Sequence, residues 1–481
     1  MNIKNELRNG ILISAVGKYS NIIIQFVVLA ILSRLLTPNE FGIVAIINVF
    51  LMFFTMLVDM GIGPAIIQNK SLNEKQLNGI FTFTILLSVV LSTCFALLAR
   101  PIATFYNNQH LVNVCIIMSF ALLTSGLNMV PQSVLLKQKR FFEINAGQVI
   151  SNIVSGIVGI TLALNHFSYY AIVYSSIFRN LTMLIIFYFK TNLKMTKSIK
   201  KEDLSSIYAF SKNQFLFNFI NYFSRNLDSM LIGKFISVKA LAYYDKAYML
   251  TLYPNQLLTS VITPVVQPIL SEYEKQNKII KQTYLSLTKI LAFIGMPLTV
   301  FLFFTSTEII YLLFGSQWTA SVPIFQILSL SIWIQMILSS TGSIFQSSNR
   351  TDLLLMSGVL SALLNISSII VGVWTGKVEY LASMLVLSFL VNFIQANYLL
   401  MNKVFQEKQI EFYKNLVDPF KISILMLVAL LITNYFFGDF SFLVQLTIKI
   451  IVSLIIFILG IRLTDNLKLF YYIFKSKKGE K

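Results

Sequence analysis

The sequence predicts an all-α polytopic membrane protein with about 14 transmembrane helices, which form two six-helix lobes followed by a C-terminal helix pair. Three observations support this prediction. The 481 residues are 56% hydrophobic and only 12% charged, which is outside the range of a soluble domain. Apolar runs of about 20 residues, long enough to cross a bilayer, recur along the chain. A pattern of polar residues in the first run returns in the seventh, with position 14 matching 214 and position 25 matching 225.

The apolar runs can be assigned in chain order. The six spans of the first lobe are predicted at 10–34, 41–66, 78–100, 111–131, 144–166 and 167–189. The six spans of the second lobe are predicted at 204–235, 240–270, 284–314, 319–345, 352–374 and 378–402. The last two spans are predicted at 420–437 and 441–462.

Lysine and arginine are concentrated in every second loop, starting with the N-terminal segment and including the run KTNLKMTKSIKKEDL at 190–204. The positive-inside rule therefore predicts that both termini face the cytoplasm. The resulting organisation is an N-lobe at 1–203, a C-lobe at 204–404, and a final segment at 405–481 that ends in a basic cytoplasmic tail.

Composition also excludes several classes of protein. Both cysteines, Cys94 and Cys115, lie within apolar runs, so neither a disulfide framework nor a metal site is expected. The net charge of +18 lies in short loops and reflects membrane topology, not nucleic-acid binding. The chain has no GxxxxGK[ST] sequence and no loop long enough for a catalytic domain. We therefore expect neither an enzyme nor a bound cofactor.

Polar residues form a stripe on one helical face of the first span, and a matching stripe runs along the seventh. The first stripe contains Ser14, Lys18, Asn21 and Gln25. The second contains Gln214, Asn218, Asn221, Arg225 and Asp228. Polar groups in a bilayer are costly and usually face a water-filled cavity, and duplicated halves are typical of secondary transporters. The stripes therefore predict a substrate cavity, although hydrogen bonding between packed helices is the alternative for any single residue.

The charges in the stripes indicate the class of substrate. Arg225 and Asp228 lie three residues apart and can neutralise each other by pairing. Lys18 would then leave the cavity net positive, which favours an anionic phosphate or pyrophosphate head group. The amide and hydroxyl groups suit a hydroxyl-rich sugar.

Further polar groups lie within or beside the spans. Asp59, Asp228 and Glu308 are candidate ion-coupling groups. Arg34 and Lys234 occupy matching positions in the two lobes and are predicted at the outer interface, where snorkelling anchors are the alternative. A weaker polar face in span five contains Asn145, Gln148, Asn152 and Ser155.

Five segments carry a family resemblance: SRLLTPNEFGIVA (33–45), DMGIGPAIIQ (59–68), LLKQKRFFE (135–143), LIGKFISVKALAYYDKAYML (231–250) and LFGSQWTASVPIFQIL (313–328). In this order and spacing they resemble Wzx-type polysaccharide flippases of the multidrug/oligosaccharidyl-lipid/polysaccharide transporter superfamily. The colanic-acid and teichuronic-acid exporters are the most similar members. One departure is Ala242, where the family's second-lobe motif usually has glycine.

The resemblance implies a fold, an activity and a location. The two lobes would be related by a pseudo-twofold axis around a cationic cavity, with Lys18 and Arg225 supplying charge and Asp59 near the cytoplasmic gate. The protein would move undecaprenyl-pyrophosphate-linked oligosaccharide units from the inner to the outer leaflet of the bacterial inner membrane, without a cofactor. Its partners would be membrane lipids, a polysaccharide polymerase and chain-length proteins.

Four alternative functions differ from this one in the sequence features they require. A multidrug extruder of the same superfamily would stop at twelve spans, and the first span here lacks an acidic residue. A lipid II flippase would differ only in the sugar of its substrate, so the sequence leaves it open. A membrane polymerase or ligase would need a long outer loop. A major facilitator carrier would show a GxxxDRxGR pattern, which the loop 68–79 lacks.

Overall fold

The computed structural model describes residues 3–69, 71–196, 214–215, 218–219, 222–223, 225–271, 273 and 276–464, with the backbone alone for residues 3–15, 258–269 and 271. Every regular element in this part of the chain is a helix, which confirms an all-α protein. The chain divides into two compact units, Met1–Ala242 and Tyr243–Lys481. The boundaries expected after residues 203 and 404 stay predictions, since most of residues 197–224 lie outside the described set.

The first unit contains eight α-helices with described bounds, then the helical residues 214–215, 218–219, 222–223 and 225–231, a π-helical turn at Ile232–Ile236 and the start of α9. Their bounds are α1 Ile3–Leu35, α2 Pro38–Asp59, α3 Ile62–Gln68, α4 Glu74–Leu97, α5 Ala99–Tyr106, α6 His110–Lys137, α7 Phe141–Leu164 and α8 Tyr170–Phe189. The tightest packing joins α7 to α8, α1 to α7, and α6 to both α4 and α8.

The second unit continues from α9 (Val238–Ser271) with nine further α-helices in the described residues. Their bounds are α10 Asn277–Phe304, α11 Ser306–Leu313, α12 Ser321–Ser329, α13 Ile332–Ser347, α14 Thr351–Trp374, α15 Val378–Tyr398, α16 Gln409–Lys414, α17 Val417–Phe437 and α18 Phe442–Leu463. A π-helical turn, Leu399–Val404, follows α15. Helix α10 packs against α13 and α17, and α17 packs against α18.

Eleven of these helical segments are long and apolar enough to cross a membrane, and the described residues give up to 12 spans if α12 and α13, which meet at 51°, count as one. They coincide with predicted spans one to six and nine to fourteen. The eighth prediction, 240–270, corresponds to α9, a helix of 34 residues. Most of the seventh lies outside the described residues, so the total of 14 stays a prediction.

The ends of several helices follow from local chemistry. Thr37 caps α2 in a capping box, in which its side chain accepts from the Glu40 N–H and Glu40 accepts from the Thr37 N–H. Asn73 and Gln76 form the same arrangement at the start of α4. These reciprocal bonds satisfy backbone N–H groups that the first turn of a helix leaves free.

The second predicted span is broken. Helix α2 ends at Asp59, and both Met60 (φ 41°) and Gly61 (φ 74°) adopt the left-handed conformation before α3 begins at Ile62. The Asp59 carboxylate then accepts a hydrogen bond of 3.4 Å from the Gly63 N–H. Asp59 is therefore fixed at a helix break, where a carboxylate beside free N–H groups is favourable.

Small residues let helices approach closely where lipid provides no hydrophobic drive for association. A Cβ atom built on Gly126 of α6 would lie 2.2 Å from the Ser88 hydroxyl of α4. A Cβ atom on Gly42 of α2 would lie 2.1 Å from the Val238 carbonyl oxygen at the start of α9. Large apolar side chains cover the outside, including Trp374, which is 90% exposed. Such a surface suits contact with lipid.

One helix corner of the first unit has a counterpart in the second unit. Arg140 precedes α7, binds Glu143 at 3.0 Å and donates to the Lys190 carbonyl at 2.6 Å. Arg350 precedes α14, binds Asp352 at 2.8 Å and donates to the Lys403 carbonyl at 3.2 Å.

The residue before each arginine has a positive φ: 58° at Lys139 and 52° at Asn349. This recurrence supports the internal duplication, while the pseudo-twofold relation of the lobes stays a prediction.

Candidate functional site

The polar stripe of α1 lies partly against the weaker polar face of α7. The Asn152 side chain donates a 2.8 Å hydrogen bond to Asn21 Oδ1, and Asn21 is 3.5 Å from Gln148 Oε1. Asn21 is only 7% exposed. Its described contacts therefore match the helix-packing alternative, because a buried amide needs a partner. Both polar faces could be recognised in the sequence, but their packing against each other could not be predicted from it.

The other members of the first stripe differ in exposure. Lys18 is exposed and Gln25 is half-buried, although both lie on the same helical face as Asn21. The side chain of Ser14 lies outside the described residues. Lys18 therefore retains the accessibility that binding an anionic group requires.

The second stripe is described in part. Gln214 donates to Asn218 Oδ1 at 3.0 Å, and Asn221 lies outside the described residues. Arg225 is exposed, whereas Asp228 is 4% exposed and accepts a 2.7 Å hydrogen bond from the Ser229 N–H. The two charged residues thus have different surroundings on the same helix.

Tyr222, which the sequence analysis did not single out, connects this helix to α2. Its hydroxyl donates a 2.5 Å hydrogen bond to the Val49 carbonyl. Its ring lies 5.3 Å from the ring of Phe53 and 5.3 Å from the ring of Phe223. The sequence places a tyrosine two helical turns beyond Gln214, which indicates a further polar group on this helix. Its partner, Val49, could be identified only from the fold.

The predicted outer-interface residues Arg34 and Lys234 both end helical segments. Arg34 is exposed in the last turn of α1. Lys234 is half-buried, donates to the Phe105 carbonyl at the end of α5, and lies 4.7 Å from the centre of the Phe105 ring. A lysine at a helix C-terminus satisfies carbonyls that the helix leaves free. The Lys234 contact therefore satisfies a carbonyl at the end of α5, and the placement of Arg34 and Lys234 at the outer interface stays a prediction.

Tyr106 supports the same corner. Its hydroxyl donates a 3.2 Å hydrogen bond to the Met230 carbonyl. Burial raises the pKa of Tyr106 to about 12, so the phenol keeps its proton and remains a donor. These contacts fix the end of α5 against the segment that precedes α9.

Glu308, a candidate ion-coupling group, is a member of a buried ion pair. It lies in the first turn of α11 and pairs with Lys449 of α18. Both side chains are 5% exposed, and Lys449 also donates a 2.8 Å hydrogen bond to the Phe304 carbonyl. Lys449 was not among the predicted site residues, although a single lysine inside an apolar span was a usable signal.

Two of the resemblance-bearing segments meet at a second buried lysine. Lys246 of α9 is 3% exposed and lies 5.6 Å from the ring centre of Phe314 and 5.5 Å from that of Trp318. The Tyr243 ring packs edge-on against Trp318 at 6.0 Å. Aromatic faces stabilise a buried cation through their quadrupoles. The segments 231–250 and 313–328 thus meet within the second unit.

Comparison with known proteins adds to this description. The family model described as polysaccharide biosynthesis protein matches residues 31–323. The chain is 26% identical over 429 residues to the teichuronic acid biosynthesis protein TuaB of Bacillus subtilis, covering 88% of each chain. It is 20% identical over 436 residues to the lipopolysaccharide biosynthesis protein WzxC of Escherichia coli, covering 89% of this chain and 88% of the relative.

Two solved structures share the fold. The lipid II flippase MurJ in an inward closed conformation aligns with a TM-score of 0.72 at 16% identity, over 94% of this chain and 99% of that one. An inward-facing multidrug resistance MATE family transporter of the MOP superfamily aligns with a TM-score of 0.60 at 14% identity, over 82% and 95%. At these identities the likeness shows the fold alone.

Proposed function

The chain belongs to the family of polysaccharide biosynthesis proteins, and on this premise we propose that it flips undecaprenyl-pyrophosphate-linked oligosaccharide units from the inner to the outer leaflet. The observation that carries the proposal is the family match over residues 31–323 of a chain with a transporter fold. Curated relatives named for teichuronic acid and lipopolysaccharide biosynthesis support the same class of substrate.

The proposed cavity uses the two stripes. Lys18 and Arg225, both exposed, would bind the pyrophosphate through charge-assisted hydrogen bonds. Gln25, Gln214 and Asn218 would face the sugar hydroxyls. Ser14 and Asn221 complete the set by their positions in the sequence.

Two residues of the stripes would position helices and would not contact the substrate. Asn21 would position α1 against α7 through its bond with Asn152. The buried Asp228 would orient its helix through the Ser229 N–H.

Movement between two access states would use Asp59 and Glu308. Asp59 lies at the break between α2 and α3, where a change in the Gly63 hydrogen bond would alter the angle of the two helices. Protonation of Glu308 would weaken its pairing with Lys449 and release α18 from α11. We propose Asp59 as the cytoplasmic gate and Glu308 as the coupling group, with Arg34 and Lys234 at the outer interface.

The proposed setting is the bacterial inner membrane with both termini in the cytoplasm. The partners would be membrane lipids, a polysaccharide polymerase and chain-length proteins. The protein would act as a transporter and not as an enzyme, without a metal or cofactor.

The test is a flipping assay in liposomes loaded with a lipid-pyrophosphate oligosaccharide. The measurement is the fraction of sugar that an impermeant oxidising reagent reaches, for wild type and for Lys18→Ala/Arg225→Ala. The matched control, Lys194→Ala/Lys377→Ala, removes two exposed cations that lie outside the stripes. We expect the control to equilibrate the leaflets as wild type does and the stripe variant to lose at least about tenfold in rate, the effect of losing one charge-assisted hydrogen bond.

The other outcomes are equally informative. Flipping that the stripe variant retains would support the function and contradict the site. Flipping of lipid II in preference to other oligosaccharide lipids would assign the protein to lipid II transport. Absence of flipping together with efflux of a cationic dye would replace the proposal with multidrug extrusion.

A further inference from the structure

Two cavities adjoin along α6 in the first unit. The first, about 460 Å³, is lined by Arg100, Thr104, Gln109, Val112 and Asn113. The second, about 450 Å³, is lined by Asn113, Ile116, Ile117, Phe167, Tyr170 and Tyr174. Asn113 belongs to both, so they form one continuous depression, which we call the α6 groove.

The two halves of the α6 groove differ in chemistry. The first half has a guanidinium, a hydroxyl and two amides, all on exposed residues of α5 and the start of α6. The second half has two isoleucines and three aromatic rings from α6, α8 and the turn between α7 and α8. A ligand that fills both halves must be amphipathic, with a polar head beside Arg100 and an apolar portion along Ile116 and Tyr174.

The electrostatics of the groove favour a negatively charged head. Arg100 is the cation among the lining residues, and no carboxylate belongs to that set. Glu40, an acidic side chain close enough to act on Tyr169, is engaged by Thr37 and Ser168. The groove also starts at the N-terminus of α6, a 28-residue helix whose dipole favours an anion there.

The walls of the groove are held in place. Tyr169 accepts or donates a 3.2 Å hydrogen bond with His110 Nδ1, which joins the start of α8 to the start of α6. The Tyr169 and Tyr170 rings lie 4.6 Å apart, and the Tyr170 and Tyr174 rings lie 6.3 Å apart. The rings are tilted by 41° and 34° to their neighbours, and such a row gives an apolar wall against which an acyl chain can lie.

We propose that the α6 groove binds one anionic phospholipid, with the phosphodiester on Arg100 and an acyl chain along the aromatic wall. One cation matches the single charge of a phosphodiester, whereas a pyrophosphate would call for a second. The groove lies outside the two polar stripes, so this phospholipid would stay bound to the protein and would not be the transported molecule. The inference therefore stands or falls separately from the proposed function.

The test is native mass spectrometry of the full-length protein in detergent, titrated with phosphatidylglycerol or with phosphatidylcholine of the same chain length. We expect wild type to bind one phosphatidylglycerol with preference over phosphatidylcholine. Arg100→Gln should weaken phosphatidylglycerol binding about tenfold and abolish the preference, since it removes one charge-assisted contact. Tyr174→Ala should weaken both lipids equally, since it shortens the apolar wall.

The matched control is Lys377→Gln. Lys377 is an exposed cation at the turn between α14 and α15 of the second unit, and it lies 5.8 Å from the ring centre of Tyr380. It combines a cation with an aromatic ring but lines neither cavity, so we expect wild-type lipid binding. An equal loss in Lys377→Gln and Arg100→Gln would show a general charge effect and overturn the site.

Two competitors separate other occupants. Glycerol phosphate, which lacks acyl chains, should not displace the phospholipid; displacement at similar concentration would make the groove a simple anion site and overturn the proposal. A polyprenyl pyrophosphate that binds more tightly than phosphatidylglycerol and depends on Arg100 would assign the groove to substrate instead. If the groove holds a phospholipid, the liposome flipping rate of Arg100→Gln should equal that of wild type, whereas a lower rate would also assign the groove to substrate.

Discussion

Glu308 and Lys449 form an ion pair between α11 and α18 in which each side chain is only 5% exposed. Lys449 also donates to the Phe304 carbonyl, while Glu308 Oε2 has no hydrogen-bond partner among the described residues. The pair joins α18, the last helix of the described residues, to a short helix that follows a break at Thr305. Because lipid offers little hydrophobic drive for helix association, such a polar contact fixes which helices meet.

Removing one partner of this pair should be far more harmful than removing both. Lys449→Met leaves a buried carboxylate without its counter-charge, and we expect a loss of about 3–5 kcal/mol in unfolding free energy. The double variant Glu308→Gln/Lys449→Met should recover most of that loss. Thermal unfolding in detergent measures both, with Lys281→Met, which removes one member of a more exposed ion pair, as control. Equal losses in single and double variants would contradict the pairing.

Asn21 and Lys18 should separate stability from transport. Asn21→Ala removes the hydrogen bond to Asn152, and we expect a loss of about 1 kcal/mol in unfolding free energy. Lys18→Ala removes an exposed charge, so stability should remain within about 0.5 kcal/mol of wild type while the flipping rate falls. Paired unfolding and flipping measurements check this division. A stable, inactive Asn21→Ala variant would instead place Asn21 in the cavity.

Gly42 should not accept any side chain. Its Cβ position lies 2.1 Å from the Val238 carbonyl oxygen, which is backbone and cannot move away as a side-chain tip would. We expect Gly42→Ala to cost at least about 2 kcal/mol through overpacking. Gly342 is the control, because no atom lies within 4 Å of its Cβ position and alanine favours helices by about 1 kcal/mol over glycine. Membrane-extracted yield and melting temperature of the two variants should therefore change in opposite directions.

The repeated corners should respond alike to loss of their arginines. Arg140 and Arg350 each join an acidic side chain and a backbone carbonyl at the end of another helix. We expect Arg140→Lys and Arg350→Lys each to lose about 1 kcal/mol, because an ammonium cannot reproduce the fork of contacts. Limited proteolysis near residues 190 and 403 provides the readout. Cleavage that increases in only one variant would show that the two corners share their contacts but that only one of them depends on its arginine for stability.

Much of the fold could be predicted from the sequence, and the exceptions have physical causes. Predicted spans one to six and nine to fourteen coincide with apolar helices because a bilayer requires about 20 apolar residues whatever their neighbours are. The helix break at Met60 and Gly61 was harder to predict, because the only local signals for it were the two glycines and Pro64 of that segment. The eighth predicted span, 240–270, also lies in a single helix, α9.

The candidate site was predicted less completely than the fold. Helical spacing grouped Lys18, Asn21 and Gln25 on one face, but it could not show that Asn21 bonds to α7 while Lys18 stays exposed. Glu308 was recognised as an unusual acid, whereas its partner Lys449 was not. The exposure and pairing of a side chain depend on the helix packed beside it. The periodicity of a single helix carries no information about that neighbour.

The sequence by itself determined that the protein is helical and where twelve of its apolar spans lie, and it predicts similar halves. Those properties depend on local composition and on spacing along the chain, because each apolar run forms a span whatever its neighbours are. Only the tertiary structure decided which polar groups meet, because Asn21 and Asn152 are 131 positions apart and Glu308 and Lys449 are 141 apart. At such separations the partner is chosen by helix packing, since a buried polar group is stable only against the one neighbour that satisfies it.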